Sequence, residues 1–309
     1  MRPWLLASVR MWLAAALGLA ALCVTGCGGG NTSQSGSSLA AQIQAAQQNP
    51  DPQARARNLI ILGYKQYKAQ DTQGARDTYR LAHRAAQEIQ DPSVRALELA
   101  KLAEGYARME NPADAKQVVR EALPVAGQVS EPFLKVTAYT ALAKVMGLAN
   151  DSGEAAALLR DAEAVVAEMP HNDDPILMQQ RVDALISIGE GYYSLDRKEN
   201  AQALFEQINQ IAASMPSQRS RADALAALGA AQSRVNAPEA EATLTAAIEA
   251  ARQIEDVNSR ANALADIATK VPNRGQANTL LDEAEKVAAE VPDAGLRNEV
   301  QTKIRKARR

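Results

Sequence analysis

Few residues in this chain have the type and spacing to do chemistry. The most regular are six cations: Arg55, Arg95, Lys135, Arg181, Arg221 and Arg260. Each stands seven residues ahead of a large aliphatic residue, namely Leu62, Leu102, Leu142, Ile188, Leu228 and Ile267. Seven residues is close to two helical turns, so each cation shares a helix face with its aliphatic partner. Such a column suits two roles. As a ladder along a groove, with Arg55, Arg95, Arg181 and Arg221 foremost, it would grip an acidic peptide. As a structural device, each stem would pack between repeats while its head group meets a capping carboxylate or the carbonyl end of a preceding helix. The shared apolar face favours the structural role.

Tyrosine is unevenly placed. Tyr64, Tyr67, Tyr79, Tyr106, Tyr139, Tyr192 and Tyr193 all precede residue 200. Tyr106, Tyr139 and Tyr192 fall at core positions of the repeat described below. Tyr64, Tyr67 and Tyr193 lie beside such positions and are the better candidates for contact with a partner. His171, Asp173 and Asp174 bring metal-ligand and acid–base types together. One histidine beside two acids lacks the spacing of a strong metal motif. Asp174 also precedes Pro175 as a helix cap would. His83 has no paired nucleophile, and no nucleophile elbow, zinc-protease helix or nucleotide-binding glycine fingerprint occurs. The chain is expected to be no enzyme and to need no cofactor or metal.

The elements that must position these residues repeat. The cations recur at intervals of 40, 40, 46, 40 and 39 residues, with Leu/Ile followed by Gly/Ala at the end of each segment. Six copies in near-constant register predict six helix-turn-helix units. Asp51-Pro52, Asp91-Pro92, Glu131-Pro132 and Asp174-Pro175 read as starts of the first helix of a unit, an acidic cap before a proline in the first turn. The second helix shows apolar residues at i, i+4 and i+7: Ala75, Tyr79, Ala82; Ala115, Val119, Ala122; Ala155, Leu159, Ala162; Ala201, Phe205, Ile208. That spacing places them on one face.

At these positions the chain resembles a tetratricopeptide repeat. Leu102-Ala103 with Tyr106, Ile188-Gly189 with Tyr192, and Ala75, Tyr79 and Ala82 carry the likeness. The period is longer than that family's, and its tryptophan position is unfilled. The resemblance implies an all-α fold, a right-handed α-α superhelix or solenoid of about six repeats, tetratricopeptide-like or HEAT-like, over residues 51–291. Residues 39–50 form a linker with a short helix at Leu39–Gln48 capped by Ser38. Residues 292–309 form a terminal cap with a basic tail. Pro124 should kink or end the second helix of copy two.

The start of the chain has a different character. Arg2 and Arg10 are followed by the uncharged run Met11–Val24, then Thr25, Gly26 and Cys27. The run is shorter than the roughly 20 residues that span a bilayer, and the order is that of an export signal. Val24-Thr25-Gly26-Cys27 resembles the lipobox of bacterial lipoproteins. This implies a signal peptide at residues 1–26, acylation of Cys27 (palmitate or a related chain), and a flexible Gly/Ser-rich tether at 27–38. Gly28 after the cysteine implies the outer membrane, facing the periplasm, under the enteric sorting rule. An ordinary secretory signal and a retained membrane anchor are the alternatives.

Composition agrees with helices. Alanine supplies 63 of 309 residues, and Phe, Trp and Tyr together supply 11. That mix excludes sandwiches, barrels and disulfide scaffolds. Lys and Arg number 34 against 36 Asp and Glu, so no basic excess suggests nucleic acid. The basic residues Lys303–Arg309 are the exception, able to meet anionic lipid, an acidic partner or a helix dipole. The expected function is a lipid-anchored envelope scaffold that binds a protein or peptide through the solenoid surface. The alternatives are a cell-wall or small-ligand binding or remodelling protein with a site near His171, and a plain structural spacer.

Overall fold

Alanine-rich segments closed by acidic caps and prolines have one economical solution, which is to bury their small faces against neighbouring helices. The computed structural model describes residues 32–170 and 174–309, with side chains from residue 39 onward. The expected signal peptide, Cys27, Gly28, His171 and Asp173 lie outside the described residues. Among the described residues there are fourteen helices and no strand. Gln42–Arg309 form one compact unit.

Helix α1 spans Thr32–Gln47. It begins ahead of the expected cap at Ser38, inside the segment assigned to a tether. Once the Ala/Gln-rich stretch after Leu39 has nucleated, each added residue costs little, so the helix propagates backward through a polar segment. From Pro52 onward the chain alternates between two kinds of helix. The A-type helices are α2 (Pro52–Lys68), α4 (Pro92–Arg108), α6 (Pro132–Leu148), α8 (Pro175–Ser194), α10 (Gln218–Arg234), α12 (Val257–Ala268) and α14 (Ala294–Ala307). The B-type helices are α3 (Thr72–Gln87), α5 (Pro112–Gly127), α7 (Ser152–Ala167), α9 (Lys198–Ser214), α11 (Ala240–Arg252) and α13 (Arg274–Ala289).

The expected starts form as the sequence suggests. Asp51, Asp91, Glu131 and Asp174 each accept backbone N–H groups just after the proline that opens the helix. Ser217, Asp256 and Asp293 cap the later A-type helices in the same way. Between helices A and B, Gln70, Glu110, Asn150, Asp196 and Asn236 adopt positive φ, between 56° and 66°. In each case the next N–H bonds back to the carbonyl five residues earlier, as Asp71 does to Gln66, which closes a Schellman turn. The sequence signals and the backbone geometry therefore repeat together.

Each A-type helix packs on its own B-type helix, on the next A-type helix and on the preceding B-type helix. Successive B-type helices share no such packing, which leaves a furrow between each pair, floored by the A-type helix that separates them. This neighbour-to-neighbour pattern is a helical-repeat solenoid. The apolar sets read from the sequence form its core: Ala75, Tyr79, Ala82, Ala115, Val119, Ala122, Ala155, Leu159, Ala162, Ala201, Phe205 and Ile208 are all buried.

One of the two outcomes expected at Pro124 does not occur, and the terminal segment gains detail. Pro124 does not end its helix, because α5 continues to Gly127. Proline in the last turn orphans only one carbonyl near solvent, which a helix end tolerates. The terminal segment is a further A-type helix, α14, packed on α12 and α13, so the solenoid is six hairpins closed by a half repeat. No helix among the described residues is long and apolar enough to cross a membrane.

Candidate functional site

The basic column takes its geometry from its place in the first turn or two of each A-type helix. There it lies beside the carbonyl end of the preceding helix, where backbone oxygens lack intrahelical partners. Arg55 donates to the Asn49 carbonyl and pairs with Glu88. Arg221 reaches the Ala212 and Ala213 carbonyls at 3.3 and 3.0 Å. Arg260 reaches the Ile254 carbonyl at 2.8 Å, with Glu290 at 3.9 Å. Arg297 repeats the arrangement on the Val291 carbonyl at 2.9 Å. Arg297 was absent from the column read from sequence. Its interval from Arg260, 37 residues, was the signal that could have found it.

Arg95 and Arg181 differ from these four. Their Nε atoms are buried without a hydrogen-bond partner. α8 has 20 residues where α2, α4, α6 and α10 have 17, and the extra turn precedes Arg181. The six-residue displacement of the fourth copy is thus partly absorbed as helix.

A surface of the A-type helices carries a lattice of ion pairs that the repeat period alone did not reveal. Glu98 is buried, its side chain 1% exposed, and meets Arg57 of the previous repeat at 3.0 Å and Lys101 at 2.9 Å. Glu104 bonds Arg108 at 2.7 Å and Lys144 of the next repeat at 2.9 Å. Burial pushes the Glu104 carboxyl up, but the two cations outweigh it and hold the group below its ordinary range. Glu190 meets Arg234 at 2.7 Å, Arg219 meets Asp266 at 3.1 Å, and Lys303 of the basic tail meets Asp266 at 2.6 Å. Arg308 is likewise engaged, by Asp282 and Glu285 of α13. The tail is therefore part of the cap's packing. Asp183 is the exception on this surface: it accepts only from Gln179, and burial raises its carboxyl above the ordinary range.

The candidate tyrosines do not form one cluster. Tyr64 and Tyr67 stand together on α2, ring centroids 6.5 Å apart, with the Lys68 ammonium 5.8 Å over the Tyr64 ring. Tyr64 is 36% exposed, and Ile61 one turn before it is more exposed still. Tyr193 lies on α8 under Lys198, and no ring contact joins it to that pair. Tyr79, Tyr106 and Tyr192 are buried, whereas Tyr139 is only half-buried. Tyr79 and Tyr106 meet edge to face at 5.2 Å, and the Tyr192 hydroxyl donates to Glu163.

His83 bridges two B-type helices by its 2.7 Å bond to Glu121. Asp174 caps α8. No group of three or more His, Cys, Asp or Glu among the described residues is placed to hold a metal ion.

No family model matches the chain, and no curated protein matches it. Among solved structures, Ton1535 from Thermococcus onnurineus NA1 is similar over 88% of this chain and 96% of its own, at 17% identity and a TM-score of 0.43. BtubC (BKLC) from P. vanneervenii is similar over 71% of this chain and 91% of its own, at 19% identity and a TM-score of 0.44.

Proposed function

We propose that this protein is an interaction scaffold of the bacterial envelope, lipid-anchored at Cys27 and carrying its partner on the A-type helices. The observation that carries the reading is the exposed apolar corner of α2. There Ile61, Tyr64 and Tyr67 stand at one end of a surface whose other charges are largely paired with one another. Rigid aromatic side chains bury much area at little entropic cost, so such a corner is a natural anchor for a protein partner. The reading assigns the chain no catalytic step.

Support for the anchor is the sequence alone: a basic start, a short apolar run and the tetrad Val24-Thr25-Gly26-Cys27. Gly28 supports the outer-membrane, periplasm-facing location, and the longer repeat period leaves tetratricopeptide-like and HEAT-like membership equally served. A photo-crosslinking residue at position 64, expressed in intact cells, tests the reading. A discrete envelope protein captured there, and not from an equivalent probe at exposed Leu296 of α14, is the expected result. Equal capture at both positions would refute it.

A further inference from the structure

Four of the five pairs of successive B-type helices are joined by a polar bridge. His83 of α3 reaches Glu121 of α5 at 2.7 Å. Lys116 of α5 reaches Asp151, the cap of α7, at 2.8 Å. Gln202 of α9 reaches Glu239, the cap of α11, at 3.4 Å, and Arg252 of α11 grips Glu283 of α13 with two 2.8 Å bonds. Among the described residues, no hydrogen bond or ion pair joins α7 to α9. A cavity of about 310 Å³ opens there, within the lower range of small-molecule sites.

Its lining has three chemical parts. Arg181 stands in the floor with a buried, unbonded Nε, and burial pushes its guanidinium below the ordinary arginine range. Arg95, whose Nε is also orphaned, is not among the residues that line this cavity. Glu163 also belongs to the lining and accepts the Tyr192 hydroxyl through Oε1. Val166, Leu185 and Leu204 supply aliphatic wall, and Gln207 supplies an amide. A buried donor without a partner is costly, and a planar guanidinium is shaped for a carboxylate. A simple anion would be repelled by Glu163. A ligand that also carries an ammonium group turns that repulsion into attraction.

We propose that the furrow between α7 and α9 binds a small aliphatic zwitterion, an aliphatic amino acid or a short peptide of such residues. Arg181 takes its carboxylate, Glu163 its ammonium, and Val166, Leu185 and Leu204 its side chain. This site does not depend on the scaffold reading, since it lies over a B-type furrow and not on the A-type surface. In the fourth repeat Arg181 follows an extra turn of α8.

The test is calorimetric titration of the full chain in detergent with four probes: leucine, leucyl-leucine, isocaproate and isoamylamine. Leucine or its dipeptide should bind saturably, and whichever is tighter identifies the source. Isocaproate and isoamylamine, each lacking one charge, should bind at least about tenfold more weakly. Arg181→Met should abolish binding and raise the melting temperature of the ligand-free protein, because it removes a buried, unbonded Nε donor while keeping the packed stem. Glu163→Gln should weaken leucine but not isocaproate. The proposal is overturned if no probe gives saturable heat up to about 10 mM. It is equally overturned if isocaproate matches leucine, if Glu163→Gln leaves leucine binding unchanged, or if Arg181→Met binds leucine normally or melts at a lower temperature.

Discussion

The ring of Tyr79 occupies the space that a side chain at Gly63 would need: a Cβ there would lie 2.3 Å from the Tyr79 Cε1. On the next A-type helix a Cβ at Gly105 would come within 2.7 Å of the same ring. One tyrosine thus packs against the bare backbones of two successive repeats, and Tyr106 closes its edge. Gly189 and Phe205 reproduce the first of these contacts in the fourth hairpin, with a Cβ at 2.6 Å. Alanine normally stabilises an open helix position by about 0.5–1 kcal/mol over glycine. Here the sign should reverse, because overpacking costs about 1–3 kcal/mol. Gly63→Ala and Gly105→Ala are expected to lower the urea midpoint, and Tyr79→Leu combined with Gly63→Ala to recover part of the loss.

The arginines bonded to carbonyl ends should behave as pieces of the fold. Arg260→Met and Arg297→Met keep the packed stem but leave orphan carbonyls, so each is expected to cost about 1–2 kcal/mol. Arg95→Met removes a guanidinium whose Nε is unbonded and should cost less than either. Equal losses at Arg95 and Arg260, measured by denaturant unfolding, would show that the carbonyl contacts contribute nothing.

Two carboxylates on the A-type surface should respond to pH with opposite signs. Asp183 is raised by burial, with Gln179 and the Lys270 charge pulling weakly the other way. An acid raised on folding stabilises the fold only while protonated, so that contribution is complete at low pH and is lost as pH climbs through the raised value. Asp183→Asn should therefore exceed the parent in stability at pH 7 and lose the advantage below about pH 3.9. Glu104 is held below its ordinary range, so its contribution is present above about pH 4.3 and lost as pH falls through the lowered value. Glu104→Gln should be less stable than the parent at pH 7 and approach it in acid. Stability measured from pH 3 to 8 separates the two.

The sequence made the hairpins legible because their signals are local: a cap, a proline and an apolar triplet within one helix suffice to place Ala75, Tyr79 and Ala82. The contacts of Arg55, Arg221 and Arg260 with carbonyl ends fit the face those residues share with a buried one, but the same pattern does not separate them from Arg95 and Arg181. The pairing of Glu104 with Lys144 was not, because it joins residues 40 positions apart whose contact depends on the stacking of α4 on α6. Arg297 escaped because the last hairpin is shortened at Val271-Pro272, which moves the next A-type helix out of a forty-residue register. Tyr139 fell at a core position by register, yet it is half-buried. A periodic pattern fixes the side of the helix a residue is on, but the depth to which a long side chain sinks depends on its neighbours in space.

The tyrosine candidates can now be separated. Tyr64 and Tyr67 share one exposed corner of α2, whereas Tyr193 stands alone on α8 with Lys198 over its ring. A single contact surface of ordinary size concentrates its energy in a few adjacent anchors. Replacing Tyr64 and Tyr67 together by alanine is therefore expected to weaken partner capture by at least about tenfold, or about 1.4 kcal/mol. Because Tyr64 is exposed, its part of the change should leave the melting temperature nearly unaltered. Tyr193→Ala should leave capture within about twofold of the parent. Crosslinking yield at a fixed reporter position, read beside circular dichroism, distinguishes the cases. If Tyr193→Ala alone abolishes capture, the contact lies on the fourth repeat and the α2 corner is not the anchor.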